Sequence, residues 1–154
     1  TRAVRMNLFD KTAEANWSLG WHQDRTIYDK KSIETEGFGP WTMKGNMQHV
    51  APPFDLLTHM LTLRVHLDDV PATNAPLLIA VGSHTQGRVP VSAIDSTVRQ
   101  CRQVACLPDA GDVWVYATPI LHASEAATIP ARRRVLQIDF AAEDLPGELE
   151  WLGI

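Results

Sequence analysis

His22 and Asp24 stand two positions apart in LGWHQDRTIYDKK, residues 19–31. Side chains on an extended strand alternate between faces, so an imidazole and a carboxylate at this spacing can reach the same ion or molecule. Helical spacing would point them apart. Together they offer metal ligation, set against a plainer alternative in which they form a solvated polar face. A third partner from elsewhere in the chain has to decide between the two.

Six histidines, at 22, 49, 59, 66, 84 and 122, make residue type alone uninformative. His122 differs by context. It follows GDVWVYATPIL, a Gly-Asp turn feeding an apolar strand that would carry the imidazole to a strand end at the mouth of a barrel. His84 in VGSHTQG fits a turn, His66 shares a strand face with Thr62 and Arg64, and His49 and His59 flank a loop helix, all structural settings. Two histidines and one carboxylate occupy one face of an octahedral ion and leave three positions open, as non-haem Fe(II) oxygenases require for a bidentate oxoacid and dioxygen.

Beyond His122 the chain runs through a loop at Pro130 to Arg132, Arg133 and Arg134 in HASEAATIPARRRVLQIDF, which reads as a hairpin whose return strand brings one arginine back towards the histidine. A guanidinium stays charged and binds a carboxylate through two parallel N–H donors, so an inward arginine here suits the distal carboxylate of 2-oxoglutarate. Alternation on a strand puts Arg133 on one face and Arg132 and Arg134 on the other.

The elements that must hold these groups are mostly strands. Val4, Met6 and Leu8 alternate with Arg5, Asn7 and Phe9, and Leu61, Leu63, Val65 and Leu67 alternate with Met60, Thr62, Arg64 and His66, the latter as a half-buried central strand does. PLLIAV (76–81), RQVACL (102–107), DVWVYA (112–117) and RVLQIDF (134–140) are short, rich in β-branched and aromatic residues, and divided by Gly, Pro, Asn and Asp, a spacing that suits a sandwich or barrel. SAIDSTVRQ (92–100) predicts one helix with Ser92 as N-cap and Asp95 at N3, and a helical turn is expected from Pro53 to Met60. Between Tyr28 and Pro53, Gly37, Gly39, Pro40, Gly45 and Pro52 interrupt any periodicity, so a long loop is expected, either a lid over the site or a tolerated insertion. As a lid it would turn Trp41 towards substrate.

Composition narrows the class. With 154 residues, 45% hydrophobic and 21% charged, the chain matches one globular domain with a single core. A formal net charge of -4 gives no general attraction for nucleic acid, and no apolar run is long enough to span a membrane. Two cysteines, Cys101 and Cys106, are too few for a disulfide framework, so a reducing, cytoplasmic setting is expected. The first residues, TRAVRMNLFDKT, hold no signal-peptide pattern and begin inside a strand, which reads as an N-terminally incomplete domain.

WHQD at 21–24, LTLRVHLDD at 61–69 with NAPLLIAVGSH at 74–84, GDVWVYATPILHAS at 111–124, and the arginine eleven residues after His122 together resemble the phytanoyl-CoA dioxygenase family of Fe(II)/2-oxoglutarate oxygenases. The likeness spans nearly the whole chain and implies a mainly β fold, a double-stranded β-helix or jelly roll with a cupin-like barrel and one or two short helices. It implies Fe(II) held by His22, Asp24 and His122, with Arg133 and Ser124 gripping the 2-oxoglutarate carboxylate. Asn7 and Arg64 fall where members line the cosubstrate pocket, although the family often shows Met and Trp there. The implied reaction uses dioxygen and 2-oxoglutarate to hydroxylate a small organic molecule, with no nucleic-acid or membrane partner. Two departures stand out: NAP at 74–76 replaces the usual Asn-Gly-Pro, and the helical region that in members precedes the first strand, covers the sheet and adds to the pocket has no counterpart in these residues. Two rival readings use a similar barrel. One is a cupin-type metal-dependent isomerase or dioxygenase, whose usual His-x-His start is absent; the other is a non-catalytic binding module using Trp41 and the long loop.

Overall fold

The computed structural model describes residues 1–154. Eleven strands and two short helices follow in order: β1 (Arg2–Lys11), β2 (Leu19–His22), β3 (Ile27–Asp29), β4 (Trp41–Lys44), β5 (Met47–Val50), α1 (Phe54–Thr58), β6 (Met60–His66), β7 (Leu77–Ala80), α2 (Ile94–Gln100), β8 (Gln103–Cys106), β9 (Val113–Ala117), β10 (His122–Ser124) and β11 (Arg133–Ala141). All pairings are antiparallel. Two four-stranded sheets, ordered β1-β11-β6-β9 and β2-β10-β7-β8, face each other as a jelly roll. Leu77, Ile79 and Cys106 from one sheet meet Tyr116 from the other in a shared core.

The larger sheet turns its polar side inward. Thr62, Arg64 and His66 of β6 and Arg133, Gln137 and Asp139 of β11 are buried, whereas Leu61 is 49% exposed and Val115 of β9 55%. Alternation therefore held, but with the apolar side outward. A bulge sets the phase at the edge: pairing slips between Ala3 and Arg5 of β1, Val4 drops into the core, and Arg5 lands opposite Asp139. From there Asn7 faces Gln137, Phe9 faces Val135 and Lys11 faces Arg133. Beside them in β6, Thr62, Arg64 and His66 pair with Asp139, Gln137 and Val135. The interior is thus built of polar rows stacked along the strand direction.

The expected irregular loop after Tyr28 is instead a small sheet. β4 and β5 form a hairpin through Gly45 and Asn46, both at positive φ (55° and 61°), and β5 also pairs with β3. Two consecutive left-handed residues match the twist of a two-residue hairpin turn, a signal the pattern of glycines and prolines had masked. Trp41 lies opposite Val50 and packs on a cluster that includes Val4, Ile27, Leu57, Met60 and Trp151 at one end of the barrel. It does not line the central cavity; pairing in this sheet gives the indole an apolar bed away from it.

α2 packs Ile94 and Val98 with Ala80 and Leu121. It starts two residues later than Ser92, which sits in a 3-10 turn (Val91–Ala93), and no side chain caps it. The predicted hairpin after His122 is also corrected. β10 belongs to one sheet and β11 to the other, so the intervening chain arches across the barrel and Arg133 approaches from the opposite wall. No helix is long and apolar enough to cross a membrane.

Candidate active site

His22 and His122 face each other because β2 and β10 pair in that register, and their ring centroids lie 4.3 Å apart. Asp24 follows just beyond the end of β2. The ligating atoms of His22, Asp24 and His122 all lie within 4.8 Å of one another. Each imidazole is oriented by a carbonyl two residues back: His22 Nδ1 is 2.8 Å from the Gly20 oxygen, and His122 Nδ1 is 3.0 Å from that of Ile120. A carbonyl only accepts, so Nδ1 carries the proton and Nε2 is left bare, the tautomer a metal ligand needs. The donor set and its pre-oriented rings fit a first-row divalent ion such as Fe(II).

Gln23, between the two, faces the other way and is buried. Its amide donates to the carbonyls of Gly87 (3.0 Å) and Pro119 (2.9 Å) and accepts from the Val89 N–H (3.0 Å), bolting the segment to neighbouring loops. Arg5 forms an ion pair with buried Asp139 and brings Nη2 to 3.5 Å from Asp24 Oδ2, with its guanidinium carbon 5.1 Å from the centre of the Tyr28 ring. Burial pushes the Asp24 carboxyl up, but His122 and Arg5 outweigh it and hold it below the usual carboxylate range.

These groups open onto a cavity of about 390 Å³, a volume suited to a small molecule. Arg133 and Ser124 line it, as do Arg64 and Asn7. The Arg133 guanidinium donates to the Ala75 carbonyl, and Ser124 Oγ donates to the same oxygen at 3.1 Å. Arg132 and Arg134 point away and pair with Asp10 and Asp68. Lys11 was not singled out from sequence. Its Nζ donates to the Trp17 carbonyl (2.7 Å) and lies 3.4 Å from Ser124 Oγ. The available signal was its phase, two residues on from Phe9 along the inward side of β1. Burial, then Arg133 and Arg64, lowers its ammonium to about 8. The other four histidines stay outside the trio. His66 is buried between strands with both ring nitrogens unpartnered, His49 stacks edge-on against Tyr28, His59 pairs with Glu143 and His84 sits in a turn.

A family model for phytanoyl-CoA dioxygenase matches residues 3–135. No curated protein sequence matches the chain. Among solved structures, the apo form of the non-heme monooxygenase ThoJ is 26% identical over 90% of this chain and 45% of its own, with a TM-score of 0.61. EctD from S. alaskensis with bound Fe shares the fold at 19% identity, covering 91% of this chain and 44% of its own, with a TM-score of 0.64. SnoK, a non-heme alpha-ketoglutarate-dependent carbocyclase from nogalamycin biosynthesis, does so at 18% identity over 93% of this chain and 50% of its own, also with a TM-score of 0.64. The chain thus spans half or less of the length of these three structures.

Proposed function

Because the chain belongs to the phytanoyl-CoA dioxygenase family, we propose that it forms the catalytic barrel of a non-haem iron oxygenase that couples oxidative decarboxylation of 2-oxoglutarate to hydroxylation of a small organic substrate. One observation carries this reading: His22, Asp24 and His122 converge on a cavity that Arg133, Ser124 and Lys11 also line. Neither a solvated polar face nor a passive binding module requires that convergence.

Bound Fe(II) would supply dioxygen activation, paired with conversion of 2-oxoglutarate to succinate and carbon dioxide. The chain's own groups do the positioning. His22 and His122 offer Nε2, and Asp24 offers one oxygen while Arg5 attracts the other. Arg133 and Ser124, both aimed by the Ala75 carbonyl, hold the distal carboxylate of the cosubstrate. Phe9, Trp17, Leu19 and Leu77 line the same space and exclude water from it. The substrate is a small molecule admitted to the remaining volume.

The test is an anaerobic titration of 2-oxoglutarate into Fe(II)-loaded protein, followed by succinate release in air against a panel of small carboxylic acids and acyl thioesters. A metal-to-ligand charge-transfer band is expected that His122→Ala lacks. Arg133→Leu should keep metal affinity but weaken 2-oxoglutarate roughly thirty-fold or more, since removing one partner of a desolvated charge pair costs about 2–5 kcal/mol. Arg133→Lys should fall between, because an ammonium lacks the two-pronged contact. No band and no succinate would refute the reading.

A further inference from the structure

Behind Asp24 stands a row of buried polar side chains that does not line the 390 Å³ cavity: Asp139, Thr62 and Thr118. Asp139 is 2% exposed, and its Oδ1 accepts from Thr62 Oγ1 at 2.8 Å and from Gln137 Nε2 at 3.4 Å. Thr62 Oγ1 also lies 3.0 Å from Thr118 Oγ1. A hydroxyl has one proton to give and that of Thr62 goes to Asp139, so Thr118 is the donor in this second contact. The other oxygen of Asp139 forms an ion pair with Arg5 Nε across the β1–β11 pairing.

Arg5 is thereby held on three sides. Asp139 takes Nε, the Tyr28 ring, itself edge-on to His49, lies with its centre 5.1 Å from the guanidinium carbon, and Nη2 comes to 3.5 Å from Asp24 Oδ2. No hydrogen bond reaches Asp24 Oδ1. A guanidinium is a planar fork whose preferred contact with a carboxylate is two parallel hydrogen bonds, one to each oxygen. Set loose beside Asp24, Arg5 would take both oxygens and compete with a cation for them. Anchored through Nε, it presents one nitrogen to one oxygen.

We propose that Asp139, backed by Thr62 and Thr118, is a positioning residue for the metal ligand Asp24: it tethers Arg5 so that the guanidinium orients this carboxylate through Oδ2 and leaves Oδ1 to the ion. The inference deepens the reading of His22, Asp24 and His122 as metal ligands and rests on it. It extends the site from the cavity wall through β11 and β6 to the end of β9, on the opposite side of the barrel from His22 and His122.

Co(II) titrated into the full chain, followed by calorimetry and by the visible absorption of the bound ion, tests this in a double-mutant cycle. Asp139→Asn keeps the shape but loosens the tether, and Co(II) affinity should fall roughly ten- to a hundred-fold, as it does when a group behind a ligand is removed. In the Arg5→Met background the same substitution should change affinity by less than about twofold, because no guanidinium is left to intrude. A plain loss of negative charge near the ion, or a general loosening of the barrel, would act in both backgrounds alike, so an equal fall in the two would overturn the proposal. Thr62→Val removes one hydrogen bond to Asp139 and alters no charge; it should lower Co(II) affinity by about threefold, the worth of one such bond, and it decides the matter if Asp139→Asn does not fold. Affinity unchanged by Thr62→Val and by a folded Asp139→Asn would also overturn the proposal. Wild type that binds no Co(II) would refute the metal-site reading and this inference with it, whereas the other failures leave that reading standing.

Discussion

Lys11 shows how a single side chain ties the cavity to pH. Burial beside Arg133 and Arg64 lowers its ammonium from 10.5 to about 8. Between about pH 8 and 10.5 the unfolded chain therefore binds more protons at this position than the ligand-free fold. Stability contributed by this group rises with pH across that window, because the fold escapes an unfavourable charge. A carboxylate in the cavity reverses the preference by stabilising the protonated form, so 2-oxoglutarate affinity should fall as pH climbs through about 8. Lys11→Met should lower affinity at pH 7 and flatten the slope between pH 7 and 9. The same slope in wild type and variant would show that Lys11 takes no part.

At the scale of the element, the turn before β7 carries a strained residue that does the orienting. Ala75 has φ of +52°, a left-handed conformation that costs a residue with a side chain about 1–2 kcal/mol, and its carbonyl receives both Arg133 and Ser124 Oγ. This is the place where Asn-Ala-Pro stands in the sequence rather than Asn-Gly-Pro. Ala75→Gly should remove the strain at the cost of some unfolded-state entropy, a net gain of about 0.5–1 kcal/mol and roughly 2 °C in melting temperature. Because the carbonyl keeps its direction, 2-oxoglutarate affinity should stay within about twofold of wild type. Thermal unfolding and the titration described above read the two effects; a large drop in affinity with Ala75→Gly would mean the alanine methyl itself shapes the site.

For the whole molecule, the outward side of the β1-β11-β6-β9 sheet is the unusual surface. Leu8 is 58% exposed, and Met6, Leu61, Leu67, Val113 and Val115 are exposed with it. Scattered apolar residues on a surface are ordinary, but several on one sheet face make a patch that binds apolar dyes and favours association. The 154-residue chain should therefore enhance 8-anilinonaphthalene-1-sulfonate fluorescence in the native state. A double change, Leu8→Lys with Val115→Lys, should cut that enhancement at least about twofold while leaving Co(II) affinity at the opposite face intact. Dye fluorescence that tracks unfolding instead of these substitutions would show that the face is not the binding surface.

How far these features were legible differs by residue. Local spacing was enough for the strands, for bringing His22 and Asp24 close together at the end of β2, and for turning Arg133 to the opposite face from Arg132 and Arg134, because a period of two operates along a few consecutive residues. The same period describes two faces without saying which is inside. That choice came from the slip at Val4, which phases β1 against β11, and from the opposing sheet that makes the interior a polar cavity. Lys11 and Arg5 acquire meaning only there, since their partners lie more than a hundred residues away in Ser124, Arg133 and Asp139. The surroundings of Trp41 were hidden for the same reason: its type suggested a ligand contact, and pairing with β5 set it on an apolar cluster. Residue types and short-range periodicity are properties of the chain itself, whereas the inside of a sheet is decided by what the other sheet covers.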